Sequence, residues 1–455
     1  MFQPYHLSRK TRVTIMLLLI ASFFVISPAL ILYTAGYRYN FNTHKVSTTG
    51  VLSIDVEPDD ASVYINDEII EKNLPLYLKV LRFLQGKSTT EKAVLPLRFS
   101  DLTPDVYHVY IEKEGYKSWD KEVTVENNKT TYIKNIELFL EAQPTPLFDT
   151  NDQVFFSPSA EYFIRIENNT AKLSHIKNPE TILFTSLSEE IPQNVIWSPY
   201  DDYFILETTT EKKSFISLVS AQAPDGGKRY QLDTPPTHIQ WINESIPSVV
   251  IDQNGTLERM TLVGRALLDT TSSPIWYVAN NELIWSFDKE TNILQQKNTG
   301  QHTQTISIQK PIEKIIDINQ NRIIALTKEN IITIATDNTE IKQIPATALF
   351  YNNATKEWIA WSPWELWTLY NQGGAELRNR TSEKITFIRP LDKNGILLIV
   401  TENKLLAFNP NTLYYTTHEL LADANIEKLT VDTKEKLIYF LGTIKGKRGV
   451  YSLAY

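Results

Sequence analysis

The first pattern along the chain is an unbroken apolar run over residues 13–33, which contains no charged side chain. A helix rises ~1.5 Å per residue and needs roughly 20 apolar residues to cross the hydrocarbon core of a membrane. The run is long enough, and it lacks the polar face that a helix packed on a soluble core would show. It predicts a transmembrane helix over residues 13–35, so the membrane is the first expected partner.

Charges beside this run predict its orientation. Arg9, Lys10 and Arg12 precede the run, and the first acidic residue is Asp55. Basic residues stay on the cytoplasmic side, which makes residues 1–12 a cytoplasmic tail of a single-pass protein and places the bulk of the chain outside the cell membrane. A cleaved signal peptide is the alternative, although such a peptide usually has an apolar core of ~7–15 residues followed by a small-x-small site.

A period-two alternation of apolar and polar residues follows a short polar segment, residues 36–49, which we interpret as a stalk. Alternation in short runs separated by turn residues is typical of strands with one buried face. Residues 50–140 therefore predict a small antiparallel β-sandwich. Its clearest runs lie at residues 50–56, 61–65, 107–111, 121–125 and 131–133.

Three short motifs in this segment resemble the PEGA domain, a small β module of bacterial surface and envelope proteins. They are the turn Pro58-Asp59-Asp60-Ala61, the pattern Leu102-x-Pro104-x-x-Tyr107 and the pair Gly115-Tyr116. The resemblance implies the β fold and supplies no catalytic residue. Asp60 and Asp105 stand where the family usually has Gly, and Asp can take a positive φ at moderate cost.

Residues 71–97 interrupt this module with an apolar and basic insertion. Leu74, Leu78, Leu81 and Leu84 follow a helical spacing, which predicts a helix that covers an open face of the sheet. A patch that docks on a membrane or a partner is the second interpretation, because basic residues flank the apolar stripe. Alternation at the start of the insertion also allows a strand.

From residue 144 onward the chain repeats one unit. Residues 154–164 and 195–205 each contain an apolar run, a Ser-Pro turn and a second apolar run, and they begin about 40 residues apart. Repeats of ~40–45 residues with about four strands each are typical of β-propeller blades. Residues 144–455 therefore predict a propeller of seven or eight blades, and the fold class as a whole is mainly β. Weaker copies begin near residues 239, 275, 315, 348, 385 and 429.

The Ser-Pro turns resemble those of TolB-type and WD-like propellers of bacterial envelopes. The matching pairs are Ser157-Pro158, Ser198-Pro199 and Ser362-Pro363, while the Trp-Asp signature of true WD repeats is absent. With the apolar run and the PEGA-like segment, the chain resembles a PEGA domain-containing bacterial membrane protein that ends in such a propeller.

The two ends of the propeller segment predict how it closes. The last repeat supplies three apolar runs where a blade needs four, and residues 145–149 have no partner in their own repeat. We predict that residues 145–149 complete the last blade, because an unpaired edge invites aggregation. Pro144 and Pro146 limit this strand to an outer edge, since Pro cannot donate to a ladder.

Composition excludes several kinds of chemistry. The chain has no cysteine, which rules out disulfides, thiolate metal sites and cysteine nucleophiles, and its net charge of −8 gives no basic footprint for nucleic acid. The seven histidines show no metal-binding spacing, and phosphate-binding glycine loops are absent. Asp317-x-Asn319-x-Asn321 begins like a calcium loop, but Arg322 stands where Gly is needed, so we interpret it as a polar turn. We expect no catalytic residue, metal or cofactor.

Four tryptophans cluster in one repeat, at Trp358, Trp361, Trp364 and Trp367. Packing within a blade is the first interpretation. The second is a platform that binds a peptide or sugar, because Trp supplies a large flat face and a hydrogen-bond donor.

The combined pattern predicts a membrane-anchored cell-envelope protein that displays a propeller outside the membrane and binds or scaffolds an envelope protein, peptide or glycan. The alternative is a propeller-type hydrolase or lyase that acts on cell-wall glycan or peptide. Three or more carboxylates or histidines in a central funnel would favour the enzyme, and an aromatic rim would favour binding.

Overall fold

The chain forms two compact units, Met1–Glu141 and Ala142–Tyr455. The computed structural model describes residues 9–34, 36–40, 45–70, 95–199, 202–242, 247–270, 273–279, 283–297, 304–308, 310–319, 322–335, 341–371, 374–410 and 416–455.

The first unit begins with one long helix, α1 (Arg9–Thr34), which contains Pro28 and buries none of its residues. Its length and composition are sufficient to cross a membrane, as predicted. Three of its hydroxyl side chains bond back to carbonyl oxygens one turn earlier: Thr14 to Lys10 at 3.0 Å, Ser22 to Leu19 at 2.9 Å and Thr34 to Ile31 at 3.0 Å. These hydroxyls therefore need no water as a hydrogen-bond partner.

Nine strands follow in the part of the first unit that the structure describes. The predicted stalk contains a short antiparallel pair, β1 with β2. The remaining strands form two sheets, with the orders β6-β3-β9 and β5-β4-β7-β8. The strand bounds are β1 (Tyr37–Asn40), β2 (Lys45–Thr48), β3 (Gly50–Glu57), β4 (Ser62–Ile65), β5 (Glu68–Ile69), β6 (Leu97–Leu102), β7 (Asp105–Glu112), β8 (Trp119–Val125) and β9 (Thr130–Glu137).

The pairing of β3 with β9 is parallel, with Val51 opposite Thr130 and Ile54 opposite Ile133. The expectation of a wholly antiparallel domain was therefore wrong at this pair. The physical reason is the path of the chain, which leaves β3, builds the second sheet and returns to the first. Such a long crossover is what parallel pairing requires. The other strand pairs of the two sheets are antiparallel.

Alternate residues of these strands form the core of the first unit. Leu52 and Ile54 of β3, Val109 and Ile111 of β7 and Trp119 of β8 are at most 1% exposed. This burial accounts for the period-two pattern of the sequence. Neither Asp60 nor Asp105 has a positive φ, so these two departures from the PEGA pattern need no left-handed backbone. The predicted insertion helix, residues 71–94 above all, lies outside the described residues.

The described residues of the second unit form eight four-stranded antiparallel sheets. We number seven of them in chain order and call the eighth the closing sheet, because it combines β10 from the start of the unit with β39, β40 and β41 from its end. A short 3-10 helix, Pro224–Gly226, precedes the fourth strand of sheet 2.

The strand bounds of the second unit are β10 (Thr145–Asp149); in sheet 1, β11 (Gln153–Phe156), β12 (Tyr162–Glu167), β13 (Thr170–His175) and β14 (Asn178–Thr185); in sheet 2, β15 (Ile191–Trp197), β16 (Tyr203–Thr209), β17 (Ser214–Ser220) and β18 (Lys228–Leu232); in sheet 3, β19 (Ile239–Ile242), β20 (Ser248–Gln253), β21 (Thr256–Thr261) and β22 (Arg265–Thr270); in sheet 4, β23 (Trp276–Val278), β24 (Ile284–Asp288), β25 (Ile293–Lys297) and β26 (Gln304–Ser307); in sheet 5, β27 (Lys314–Ile318), β28 (Arg322–Leu326), β29 (Ile331–Ala335) and β30 (Ile341–Ile344); in sheet 6, β31 (Ala348–Asn352), β32 (Glu357–Trp361), β33 (Glu365–Leu369) and β34 (Ala375–Arg380); in sheet 7, β35 (Ile385–Pro390), β36 (Leu397–Thr401), β37 (Leu405–Asn409) and β38 (Thr416–Leu421); and in the closing sheet, β39 (Ala424–Asp432), β40 (Leu437–Ile444) and β41 (Lys447–Ala454).

Consecutive sheets share hydrophobic cores. Buried residues of sheets 1 and 2 form one cluster, those of sheets 2 and 3 the next, and the series continues to sheets 6 and 7. Sheet 7 contacts the closing sheet through β36 and β39, and the closing sheet shares a cluster with sheet 1. The sheets therefore form a closed, propeller-like ring. First strands of successive sheets contact one another, as β19 does β23 and β23 does β27, which places them at the inside of the ring.

The closing sheet confirms the prediction for residues 145–149. β10 pairs antiparallel with β41, with Thr145 opposite Ser452 and Asp149 opposite Gly449, and occupies the edge of the sheet. Gly449 allows the close approach, because a Cβ at this position would lie 2.7 Å from the Phe148 carbonyl oxygen. The closing sheet thus joins the two ends of the second unit.

Arg448 holds the closing sheet to the connection between β10 and β11. Its Nη1 donates to the carbonyl oxygens of Thr150 and Asp152, both at 3.0 Å. Its Nε and Nη2 bond both carboxylate oxygens of Glu427, at 2.7 and 2.8 Å. These charged hydrogen bonds lower the pKa of Glu427 below its ordinary value. One side chain therefore links both ends of the ring.

Candidate functional site

A cavity of about 760 Å³ lies among first strands of five sheets: β11, β15, β31, β35 and β39. The turns that follow these strands complete its wall. Since first strands lie at the inside of the ring, the cavity is one mouth of the central channel. The described residues that line it are Phe156, Ser157, Pro158, Trp197, Pro199, Phe350, Tyr351, Asn352, Asn353, Ala354, Arg389, Pro390, Leu391, Asp392, Lys393, Leu429, Thr430, Val431 and Thr433.

Two of the three Ser-Pro turns found in the sequence, those at Ser157-Pro158 and Ser198-Pro199, build part of this rim. The Ser157 hydroxyl accepts a hydrogen bond from the Tyr162 amide at 3.1 Å, and the Ser157 amide donates to the Tyr162 carbonyl at 2.9 Å. The Ser198 amide makes the equivalent bond to the Tyr203 carbonyl at 2.8 Å. With the serine engaged in the turn, the ring of the following proline lines the cavity.

Aromatic side chains form much of the wall. Trp197 lies on β15, and its Nε1 donates to the Phe155 carbonyl oxygen of β11 at 3.2 Å. This bond fixes the indole between two first strands. On the opposite side, Phe350 packs against Trp361 with ring centroids 6.0 Å apart. These held rings offer flat apolar faces at little entropic cost.

Two polar side chains of the wall are engaged in their own turns. Asp392 Oδ1 accepts from the amides of Asn394 and Ile396 at 3.0 and 2.9 Å. Asn352, which is 1% exposed, accepts the Ala354 amide on Oδ1 at 3.1 Å. Asp392 Oδ2 and Asn352 Nδ2 are buried without a hydrogen-bond partner. Both side chains shape the turns after β31 and β35.

Arg389, at the end of β35, differs from these residues. Its side chain is accessible within the cavity, yet the surrounding protein lowers the pKa of the guanidinium. Within the described ranges no carboxylate lies in ion-pair distance, and its Nη1 makes one long hydrogen bond, 3.5 Å, to the Ile388 carbonyl. A partly desolvated cation without a counter-charge is unfavourable and favours a bound anion.

A second positive charge lies on the neighbouring first strand, β39. The Lys428 ammonium lies 3.5 Å from the centroid of the Phe155 ring, and burial lowers its pKa, while the Glu427 carboxylate acts in the opposite direction. Two first strands thus carry partly desolvated cations at the inside of the ring.

The four predicted tryptophans do not form one surface. Trp361 is 7% exposed and belongs to the core between sheets 6 and 7, whereas Trp358 and Trp367 pack toward the core between sheets 5 and 6. Trp364 is 52% exposed in the turn between β32 and β33. Residues an odd number apart in a strand face opposite sides, which separates Trp358 from Trp361. Trp364 alone of the four offers an exposed face.

The other motifs noted in the sequence contribute no reactive or metal-binding group to the cavity. Asp317 lies on β27, where it accepts a hydrogen bond from the Tyr277 hydroxyl at 3.3 Å, and burial raises the pKa of its carboxyl. Among the described residues, no three His, Asp or Glu side chains are arranged to hold a metal ion. A second cavity of about 470 Å³ lies near β14 and β18, where the buried Glu190 pairs with Arg229.

The residues that distinguish the cavity were not identified from the sequence. Arg389 and Asp392 come from one repeat and Asn352 comes from the preceding one, and none of the three belongs to a motif. The available signal was their position, because each lies at or just after the end of a first strand, before the turn to the second strand.

Comparisons with known proteins give one family match and a set of similar solved structures. A family model described as the PEGA domain matches residues 95–138. No curated protein matches the chain. Similar solved structures include Kluyveromyces lactis Hsv2, with 10% identity over 58% of this chain and 96% of that chain and a TM-score of 0.39.

Two further solved structures are similar over comparable lengths. Virginiamycin B lyase from Staphylococcus aureus is 14% identical over 58% of this chain and 94% of that chain, with a TM-score of 0.37. The WD40 domain of SCAP from fission yeast is 10% identical over 69% and 98%, with a TM-score of 0.42. At these scores the likenesses carry no argument about function. The chain thus contains a PEGA match beside a propeller-like ring.

Proposed function

We propose that this protein is a single-pass membrane protein of the bacterial cell envelope, whose eight sheets are the blades of a β-propeller that binds a partner at one mouth of its channel. The PEGA-like domain connects the membrane helix to the propeller. The observation that carries the proposal is the cavity of about 760 Å³, since its volume and aromatic wall are those of a ligand site.

The chemistry of the wall supports binding over catalysis. The described lining residues include one carboxylate, Asp392, and no histidine. Glycoside hydrolysis ordinarily uses a pair of carboxylates, and general acid–base catalysis needs a titrating group free to transfer a proton. Asp392 instead accepts two backbone hydrogen bonds that hold its own turn. The hydrolase or lyase remains the second candidate.

Site-specific photocrosslinking tests the binding role. We expect benzoylphenylalanine in place of Tyr351, a half-exposed wall residue, to give a discrete adduct in cells that naturally make the protein. The matched control carries the same probe in place of Leu267, which is 65% exposed on the outer strand β22. Adducts from position 267 and none from position 351 would contradict a partner at the channel mouth.

The topology is testable because the chain contains no cysteine. Ser8→Cys and Thr433→Cys each introduce a single thiol, before the helix and in the second unit. We expect a membrane-impermeant maleimide to label position 433 in intact cells and position 8 only after permeabilisation, because the basic residues beside α1 stay inside. The reverse result would invert the orientation, and labelling of both would contradict a single crossing.

A further inference from the structure

The cavity at the channel mouth contains accessible hydrogen-bond donors, whereas the side-chain acceptors whose contacts are known are either engaged or, like the unpartnered Asp392 Oδ2, buried. Asp392 Oδ1 and Asn352 Oδ1 accept backbone amides, and the Ser157 hydroxyl accepts the Tyr162 amide. Thr430 donates its hydroxyl to the Ser157 carbonyl at 2.9 Å. The Arg389 side chain is exposed within the cavity, and its guanidinium has no ion-pair partner in the part of the chain that the structure describes.

This excess of accessible donors over accessible acceptors favours one class of ligand. A sugar presents hydroxyl groups that both donate and accept, so its site needs free acceptors as well as donors. A carboxylate only accepts, and a guanidinium presents two parallel N–H groups that match its two oxygens. Lys393, on the same turn as Asp392, adds an exposed positive charge to the cavity.

The apolar wall of the cavity places a second requirement on the ligand. Phe156, Trp197 and Phe350 line the cavity with three proline rings beside them. Such surfaces bind aromatic and aliphatic side chains, while a free inorganic anion would gain nothing from them. A cavity of about 760 Å³ accommodates a few amino-acid residues.

We propose that the channel mouth binds an acidic peptide segment of a partner protein, with a carboxylate of the peptide on Arg389 and an adjacent apolar side chain against Trp197. This inference rests on the proposed binding function and specifies its ligand. Arg389 would be the residue that selects acidic over amide side chains, and the aromatic wall would hold the rest of the segment.

A paired peptide array tests the proposal. Each random-sequence peptide is synthesised twice, once with Asp and Glu and once with Asn and Gln in their place, and is probed with the full-length protein in detergent. We expect the acidic members to be retained and their amide twins to bind about tenfold more weakly or worse, because a hydrogen bond to a charged group is worth more than a neutral one.

The variant Arg389→Gln should abolish the difference between acidic and amide peptides, and Arg389→Lys should restore part of it through charge without the bidentate geometry. The control Arg265→Gln removes the same charge from the outer strand β22 and should change nothing. Thermal unfolding of each variant shows whether the ring is folded. If Arg389→Gln does not fold, Arg389→Lys takes its place in the comparison of acidic and amide peptides.

Three outcomes overturn the inference. They are equal retention of acidic and amide peptides, discrimination that survives Arg389→Gln in a folded protein, and retention of no peptide at all. The crosslink at position 351 separates these results from failure of the binding function. An adduct at position 351 without discrimination between acidic and amide peptides would contradict the acidic ligand and leave the binding role intact.

Discussion

Deletion of residues 144–149 is expected to lower the free energy of unfolding of the second unit by about 5 kcal/mol. The deletion removes the ladder between β10 and β41, whose hydrogen bonds are worth about 1 kcal/mol each, and the packing of Leu147 and Phe148 on the shared cluster, worth roughly 1.5–3 kcal/mol per fully buried side chain. It also leaves β41 as an unpaired edge. Urea unfolding followed by tryptophan fluorescence measures the change.

A matched pair of point variants separates this effect from the shortened connection between the units. Phe148→Ala lies in the closing sheet, and Leu267→Ala lies on the exposed outer strand of sheet 3. We expect the first to cost about 2 kcal/mol and the second close to nothing. A deletion that unfolds at the same urea concentration as the intact chain would show that the ring does not depend on β10.

The second large effect is expected at Glu190, a carboxylate that is 5% exposed between sheets 1 and 2. Thr208 donates its hydroxyl to Glu190, and Arg229 donates its guanidinium to the other carboxylate oxygen while stacking on the Phe215 ring at 3.6 Å. Arg229→Met should lower stability by about 3 kcal/mol, because a buried charge loses its partner. Chemical unfolding measures it.

The double variant Glu190→Gln/Arg229→Met provides the decisive comparison. It removes the charge together with its partner, so we expect it to regain much of the stability that Arg229→Met loses. Lys384→Met is the control, since Lys384 and Glu402 form an ion pair of two exposed side chains that is worth at most about 1 kcal/mol. Equal losses in the single and double variants would mean that Arg229 acts by packing on Phe215.

The sequence predicted those features that depend on local periodicity. The apolar run became α1, and the repeats became the four-stranded sheets, because burial of one strand face imposes period two. The closing strand was predictable from counting, as three runs at one end and one at the other complete a sheet. The parallel pairing of β3 with β9 was missed because alternation carries no information on strand direction.

Most of the candidate site could not be predicted from local sequence patterns. Arg389 is distinguished because no carboxylate of the described residues lies within ion-pair distance of it, a property of the folded ring that no window of sequence contains. The sequence left two interpretations of the tryptophan cluster open, packing and a platform, and only the fold shows that neighbours such as Trp358 and Trp361 are divided between two different cores. Sites assembled from several repeats are visible only once the repeats are arranged in space.

The composition of the closing sheet has a consequence for how the protein is made. Arg448 donates a hydrogen bond to the Thr150 carbonyl oxygen, 298 residues away in sequence. β10 is synthesised first, and its partner β41 is synthesised only after the strands of all seven other sheets. Contacts of such separation form late, because the entropy of closing a long loop has to be overcome first. During this interval the nascent chain exposes unpaired strand edges, which make it prone to aggregation. Any fragment that ends before β41 is therefore expected to be degraded by proteases, because its closing sheet cannot form. Synthesis of β41 would then decide whether a chain escapes degradation.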